Sequence, residues 1–347
     1  MGKYTNIDDP SAHFQVALHS SANAATITND GNSDLQPDLI WSKARGAAYN
    51  HGLYDSTRGV TKFLSSNAAS AETTASSGFD LTSFNTDGFS TGNNQYNTIC
   101  GGTTYAAWQW KANGGTTASN TDGNITSTVQ ANTDAGFSIV TWTGNEQSAA
   151  SVGHGLGVKP DVVIFKNRST AYNWVVYLGA LGQVSGNWLN AYLDLTNAAE
   201  QNSSTDFTST LLKPGSGATT NASSMIAYCF AEKQGYSKFG KYVGNGNTNG
   251  AFIYTGFKPA FVMVKAITSG KNWDISTGAV SSNQIDERLR ANLNNAEESS
   301  GHIDFLSNGF KMRNTNGTQN SSGVTYIYMA FAENPFVTST GIPTTAR

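Results

Sequence analysis

The sequence predicts an all-β chain of three tandem homologous β-sandwich domains with little helix. Three observations lead there. First, a strand-like phrase, Pro followed six positions later by Lys with apolar residues between, occurs three times: residues 37–43, 160–166 and 259–265. Second, each is followed by an alternating apolar phrase ending in Trp110, Phe230 or Phe331, which lie 73, 70 and 72 residues beyond their Pro. Third, charged residues make up 13% of the chain and aromatics 11%, with 36 Gly among 347 residues and abundant Asn, Ser and Thr. That balance supplies cores and many tight turns between short strands, and it is not a disordered composition. A period of about 100 residues is too long for a solenoid unit, so each copy is expected to own a core.

The elements follow in order. Residues 1–113 hold an N-terminal arm and the first repeat. In it His19-Ser20-Ser21 is a degraded form of the phrases Trp142-Thr143-Gly144-Asn145 and Tyr242-Val243-Gly244-Asn245-Gly246. Trp174 and Trp273 lie 14 residues after Pro160 and Pro259, where the first repeat has His51, so the first repeat reads as diverged. Residues 114–128, rich in Gly, Ser, Thr and Asn, read as a linker. The second repeat spans 129–236, the third 237–338, and 339–347 form a polar tail expected to be extended. Residues 233–238 are a short joint, so the second and third repeats are expected to be the more rigidly related pair.

Strands account for nearly all of it. Phe137-Ser138-Ile139-Val140-Thr141-Trp142 and Phe252-Ile253-Tyr254 are strand vocabulary, and Gly244-Asn245-Gly246-Asn247 is hairpin chemistry because its residues accept positive φ. In the last closing phrase Ile327, Met329 and Phe331 face one way and Tyr326, Tyr328 and Ala330 the other. Both faces are apolar, which places that strand centrally in a packed sheet. Residues 283–298 carry Ile285, Leu289 and Leu293 at helical spacing, but the homologous stretch 189–200 alternates, and strand is the reading that serves both.

The chemistry-bearing residues do not converge on a catalytic site. Five histidines are scattered without metal-ligand spacing; His13 and His19, six apart, come nearest. His154 in Gly153-His154-Gly155-Leu156-Gly157 lacks the Lys-Ser/Thr and the following helix of a phosphate loop and reads as a turn before Pro160. The acid pairs Asp8-Asp9, Asp286-Glu287 and Glu297-Glu298 are adjacent, so strand geometry points them apart, which does not suit glycoside hydrolysis. No enzyme activity, catalytic residue, metal or cofactor is therefore expected. Lys43, Lys166 and Lys265 end apolar strands and are read as structural, with the repeated Glu72, Glu200 and Glu297 as their partners. Cys100 and Cys229 sit at non-equivalent positions and are expected to be free thiols. A net charge of −3 argues against nucleic acid. The absence of an 18-residue apolar run argues against membrane insertion. No secretory signal is expected, because the first residues lack an apolar stretch. The one functional hint is aromatic: Tyr172, Trp174, Tyr177, Trp188 and Tyr192 crowd the second repeat as candidate surface ligand contacts, able to stack on sugar rings if exposed.

Several phrases together resemble a known family. They are residues 4–15, 31–38 and 54–60, then Gly153-His154-Gly155-Leu156-Gly157-Val158-Lys159-Pro160-Asp161, then residues 226–232 and 328–336. Across nearly the whole chain these resemble tailed-bacteriophage virion structural proteins, tail-fibre-like and common in aquatic phages. The resemblance implies localisation in the virion, partners among other virion proteins reached through the N-terminal region (the first repeat or residues 1–36), host cell-surface glycan as a ligand, and by analogy a homo-oligomer, a trimer. A capsid decoration or tail-assembly protein is the second reading and a polysaccharide depolymerase the third. Where repeats differ, specificity is expected: residues 172–192, the loop 315–323, and the first repeat.

Overall fold

The computed structural model describes residues 5–147, 150–184, 187–202, 207–214 and 222–344, and nearly all regular structure in it is strand. The first repeat contains β1 (Phe14–His19), β2 (Ala25–Ile27), β3 (Leu39–Ala44), β4 (Gly52–Asp55), β5 (Lys62–Leu64), β6 (Thr73–Thr74), β7 (Leu81–Phe84), β8 (Phe89–Thr91) and β9 (Tyr105–Trp110). Two strands follow, β10 (Ala118–Asn120) and β11 (Ser127–Asn132). The second repeat contains β12 (Phe137–Thr143), β13 (Val152–Gly153), β14 (Val162–Asn167), β15 (Val175–Leu178), β16 (Gln183–Val184), β17 (Asn187–Tyr192), β18 (Glu200–Asn202), β19 (Leu211–Leu212) and β20 (Ser224–Phe230). The third contains β21 (Ser237–Val243), β22 (Phe252–Tyr254), β23 (Phe257–Ala266), β24 (Trp273–Thr277), β25 (Ile285–Arg290), β26 (Glu298–Leu306), β27 (Gly309–Met312) and β28 (Thr325–Pro335). Residues 283–298 thus contribute strand, not helix.

One strand order recurs three times. The main sheets run β1-β9-β3-β4-β5, β12-β20-β14-β15-β17 and β21-β28-β23-β24-β25, and the second layers pair β2 with β8, β13 with β19 and β22 with β27. Register recurs too. Trp110 pairs with Phe14 and Leu39, Phe230 with Phe137 and Val162, Phe331 with Ser237 and Phe261. The closing strand is central in each, as the two apolar faces of its phrase require.

Those two faces have different partners. In β28, Tyr326, Tyr328 and Ala330 join a core belonging to the third repeat alone, while Ile327, Met329 and Phe331 join a core built from all three repeats. The first and second repeats likewise each have a core of their own besides the shared one. The three sandwiches are therefore staves around one axis. On it the equivalent residues Trp110, Phe230 and Phe331 form a triangle of rings, with centroids 6.1, 5.4 and 5.7 Å apart. The apolar void beside them is about 10 Å³, at the lower limit of what one water needs, so the axis is a packed core and not a channel.

The seams repeat as well. At position 14 after the Pro, Trp174 Nε1 donates to Ser65 O of the first repeat, and Trp273 Nε1 donates to Tyr192 O of the second, both at 2.8 Å. His51 closes the ring with Nε2 2.9 Å from Arg290 O of the third. His51 is thus not a lost position; a ring N–H donor is what the seam needs, and Trp41 Nε1 donating to His51 Nδ1 at 2.8 Å places the proton on Nε2. A backbone bond crosses each seam beside it: Glu72 N to Arg168 O, Ala199 N to Ile267 O and Glu297 N to Arg45 O, at 2.9, 2.9 and 2.8 Å.

Two of these positions carry ion pairs, Arg168–Glu72 and Arg45–Glu297, both at 2.7 Å, while the third is the apolar pair Ala199 and Ile267. The expected pairing of the repeated Lys with the repeated Glu is thereby corrected. The glutamates 72 and 297 take the arginine two residues beyond the Lys, across a seam. The lysines donate to carbonyls: Lys166 to Ala69 and Tyr172, Lys265 to Thr196 and Lys271, Lys43 to Ala44 and Ala47. Burial pushes all three ammonium groups down to about 8.

Other boundaries also shift. Residues 114–128, expected as a linker, contain β10 and the start of β11, a hairpin that extends the second repeat's sheet past β12. Their polar composition reads as loop, but backbone pairing with β11 and β12 makes them strand. The tail folds back: Val337 bridges Pro343, and Ser339 N donates to Asp8 Oδ1 at 2.6 Å. Residues 345–347 lie outside the described residues. Within the N-terminal region, residues 14–19 and 25–27 supply β1 and β2 of the first sandwich.

Burial makes the ring acid-sensitive. The His51 imidazole is pushed down to about 3 by burial, with Lys43 adding, and His19 to about 4 by burial. An unfolded imidazole titrates near 6.5, so the unfolded chain takes up protons first. The stability these groups contribute is complete above pH 6.5 and is lost as pH falls toward 4 and 3. At pH 5 the two together withdraw about 4 kcal/mol. Asp80, Asp161, Asp194 and Asp274, whose carboxyls burial raises, act in the opposite sense, so the test compares chains. The urea midpoint falls less from pH 7 to pH 5 in His51→Gln than in the parent, and equal falls contradict the role of His51.

Candidate functional site

The five candidate aromatics do not form one surface. Tyr172 is exposed, and its backbone N–H donates to Ala69 O of the first repeat. Trp174 is fully buried in the shared core. Tyr177 is buried in the second repeat's own core, its ring 4.3 Å from Phe207 and 5.3 Å from Trp188. Trp188 is half-buried under the Lys159 ammonium, which sits 4.5 Å from its ring centre. Tyr192 is half-buried and gives its carbonyl to Trp273. The correction has a physical cause: Tyr172 and Trp174 lie before β15 in a segment that meets the first repeat, while Tyr177 and Trp188 turn toward the second repeat's own core. As surface contacts, Trp174 and Tyr177 are ruled out and Tyr172 keeps an open ring.

The loop 315–323, expected to carry specificity, is a structural plug over most of its length. Asn320 is buried and donates to Asn314 O and Asn247 O at 2.7 and 2.8 Å. Thr318 donates to Asp274, which also pairs with Arg288 at 3.0 Å. Burial raises the Asp274 carboxyl against the pull of Arg288. A second buried ion cluster lies in the seam between the first and second repeats. Asp55 accepts from Arg58 Nε at 2.5 Å and from the Tyr228 hydroxyl at 2.8 Å, and Arg58 reaches Glu72 at 3.1 Å. The Arg58 guanidinium is held charged: burial opposes the charge, but Asp55, Tyr228 and Glu72 raise its pKa. The Asp55 cluster is matched by hydrogen bonds; in the Asp274 cluster Asp274 Oδ1 and Arg290 Nε face each other at 3.6 Å without a hydrogen bond, and Arg288 Nε has no partner among the described residues.

Elsewhere the turn reading of residues 153–157 agrees with the structure. Gly155 and Gly157 have φ of +75° and +70°, and His154 Nδ1 accepts from Leu156 N at 3.3 Å. Cys100 and Cys229 are buried free thiols, each pushed up to about 12 by burial. Among the described residues no group of three or more His, Cys, Asp or Glu side chains could hold a metal ion, and no helix is long and apolar enough to cross a membrane.

Two surface features remain. On β22, Phe252 and Tyr254 are exposed at 47% and 60% with Ile253 buried between them, so two rings stand on one outer face. Sequence reasoning took this phrase only as a strand; the usable signal was Phe-x-Tyr alternation in a repeat whose two counterparts, β2 and β13, have no aromatic. The other feature is a cleft of about 730 Å³ between the first and third repeats. Phe14, Gln15 and Val16 of β1 form one wall and residues 278–282 the other, with the Lys258–Glu333 ion pair at the rim. Its volume falls in the usual range of binding sites, about 300–1,000 Å³.

A family model described as a domain of unknown function (DUF7483) matches residues 9–335. No curated protein and no solved structure matches the chain.

Proposed function

The chain belongs to the DUF7483 family, which brings no activity with it, and we propose from its residues that it is a structural component of a bacteriophage particle. In this reading it is a tail-fibre- or spike-like protein exposed on the virion, without enzymatic activity, attached to other virion proteins through its N-terminal region. The phrases that resemble tailed-phage structural proteins support it. The observation that carries it is the closed ring: three sandwiches around one packed axis, with buried charge and ring N–H groups used at the seams to hold the copies together. That is the economy of a rigid building block. The threefold arrangement that phage fibres make from three chains is approximated here within one, so a single chain can occupy a place of threefold symmetry.

Host-surface glycan is the proposed ligand of the outer face. Exposed rings at Tyr172, Phe252 and Tyr254 are the surfaces that support it, because sugar rings stack on aromatic faces. Reconstruction of intact particles tests the assignment. Density for the three-sandwich ring on the tail is expected. Density on the head alone makes the chain a decoration protein, and absence from particles overturns the reading.

A further inference from the structure

The ring has three equivalent seams, and they are filled differently. In each, the first strand of one repeat faces the turn that follows the fourth strand of the preceding repeat. The three turns begin at Ser56, Gly179 and Gly278, each 19 residues after the repeat's Pro. Between the first and second repeats, β11 lies in the seam. It pairs antiparallel with β12 through Phe137–Asn132, Ile139–Gln130 and Thr141–Thr128. Gln130, fully buried, spans the remaining gap, donating to Ser56 Oγ and Thr57 Oγ1 at 2.9 and 2.7 Å. Between the second and third repeats, the short helical turn Gly179–Leu181 packs directly on β21. Between the third and first repeats the seam is the 730 Å³ cleft.

The strand that lines this cleft is ready for a partner. Among the described residues β1 has one strand neighbour, β9. Lys111 N donates to His13 O, as Ala231 N donates to Gly136 O in the second repeat, so the two ladders are in the same phase. In an antiparallel ladder alternate residues point their N–H and C=O to opposite edges. Residues 14, 16 and 18 therefore present to the cleft side the same backbone groups that residues 137, 139 and 141 give to β11. The facing turn has Gly278 and Ala279 where the filled seam has Ser56 and Thr57, which leaves room for side chains of an incoming segment.

We infer that the cleft takes an extended segment of a second polypeptide, which adds to β1 as an antiparallel strand in the way β11 adds to β12. Backbone bonds to residues 14, 16 and 18 provide the attachment, and Ser282, together with Ser281 as an acceptor while its hydroxyl donates to Glu287, can meet a side-chain amide placed like that of Gln130. This gives the N-terminal attachment proposed above a physical site. It rests on that reading only for the partner's identity, and on the seam comparison for the site itself.

The test uses the full chain and a synthetic peptide of residues 125–134, which contains β11, with amide hydrogen exchange as the readout. Without peptide, the amides of Phe14, Val16 and Leu18 exchange faster than those of Phe137, Ile139 and Thr141. At saturation the peptide slows the first three by more than about tenfold. Val16→Pro removes the outward N–H without touching the β9 ladder and weakens the peptide by at least about tenfold, with the thermal midpoint as the control for folding. Ala279→Trp fills the cleft from the opposite wall and does the same. Unchanged exchange at Phe14, Val16 and Leu18, binding that survives both variants, or protection by a chito-oligosaccharide in place of the peptide overturns the inference. Peptide protection in a chain that never enters particles sinks the virion assignment and leaves the strand site standing.

Discussion

Replacing Phe331 by Ala destabilises all three sandwiches together and does not merely loosen the third. The side chain is 1% exposed, and its ring lies 5.4 Å from Trp110, 5.7 Å from Phe230 and 5.2 Å from Phe14. Those contacts belong to two other repeats. Truncating a buried Phe costs about 3–5 kcal/mol, a large part of the ~5–15 kcal/mol that a folded chain usually has in hand. Urea unfolding followed by exchange of amides in β3, β14 and β23 reads each repeat separately. All three midpoints fall by the same amount; a loss confined to β23 contradicts the shared core.

Removal of the Asp55 carboxylate is the second large effect. Arg58 and Asp55 side chains are fully buried and 2.5 Å apart, and the Tyr228 hydroxyl of the second repeat donates to the same carboxylate. Asp55→Ala leaves the Arg58 charge buried with Glu72 as its one remaining carboxylate, at a cost of about 3–5 kcal/mol. Arg58→Met added to Asp55→Ala recovers part of the loss, since the uncompensated charge is then gone. Equilibrium unfolding of the two variants checks both statements. A single-variant loss under about 1 kcal/mol, or no recovery in the double variant, contradicts the role given to this cluster.

The strand architecture was legible because its signals are local. Alternation in residues 326–331 announces two buried faces, and the recurring Pro-to-closing-strand distance announces one repeated order. What alternation cannot say is what covers a face. The face bearing Ile327, Met329 and Phe331 looks the same in sequence whether it meets its own second layer or the neighbouring repeats, so the shared core was out of reach. His51 shows a related limit. Compared with Trp174 and Trp273 it looks like divergence, because identity was compared and the conserved property, a ring N–H aimed at a carbonyl, is visible only in place. The glutamates misled by one residue: Ala199, not Glu200, stands where Glu72 and Glu297 stand at the other seams. The aromatic cluster of the second repeat failed as a surface because counting rings ignores which face each one takes, whereas Phe252 and Tyr254 lie on an outer face. The open cleft had no sequence signal at all; it exists because one seam lacks the strand that another seam has.

Scanning calorimetry of the full chain at neutral pH tests the closed ring most directly. Three sandwiches sharing one core unfold as a single cooperative unit, so one transition is expected, with calorimetric and van't Hoff enthalpies equal. Two or three separable transitions, or a van't Hoff enthalpy near twice or three times smaller than the calorimetric one, would show sandwiches that stand on their own cores and would contradict the account.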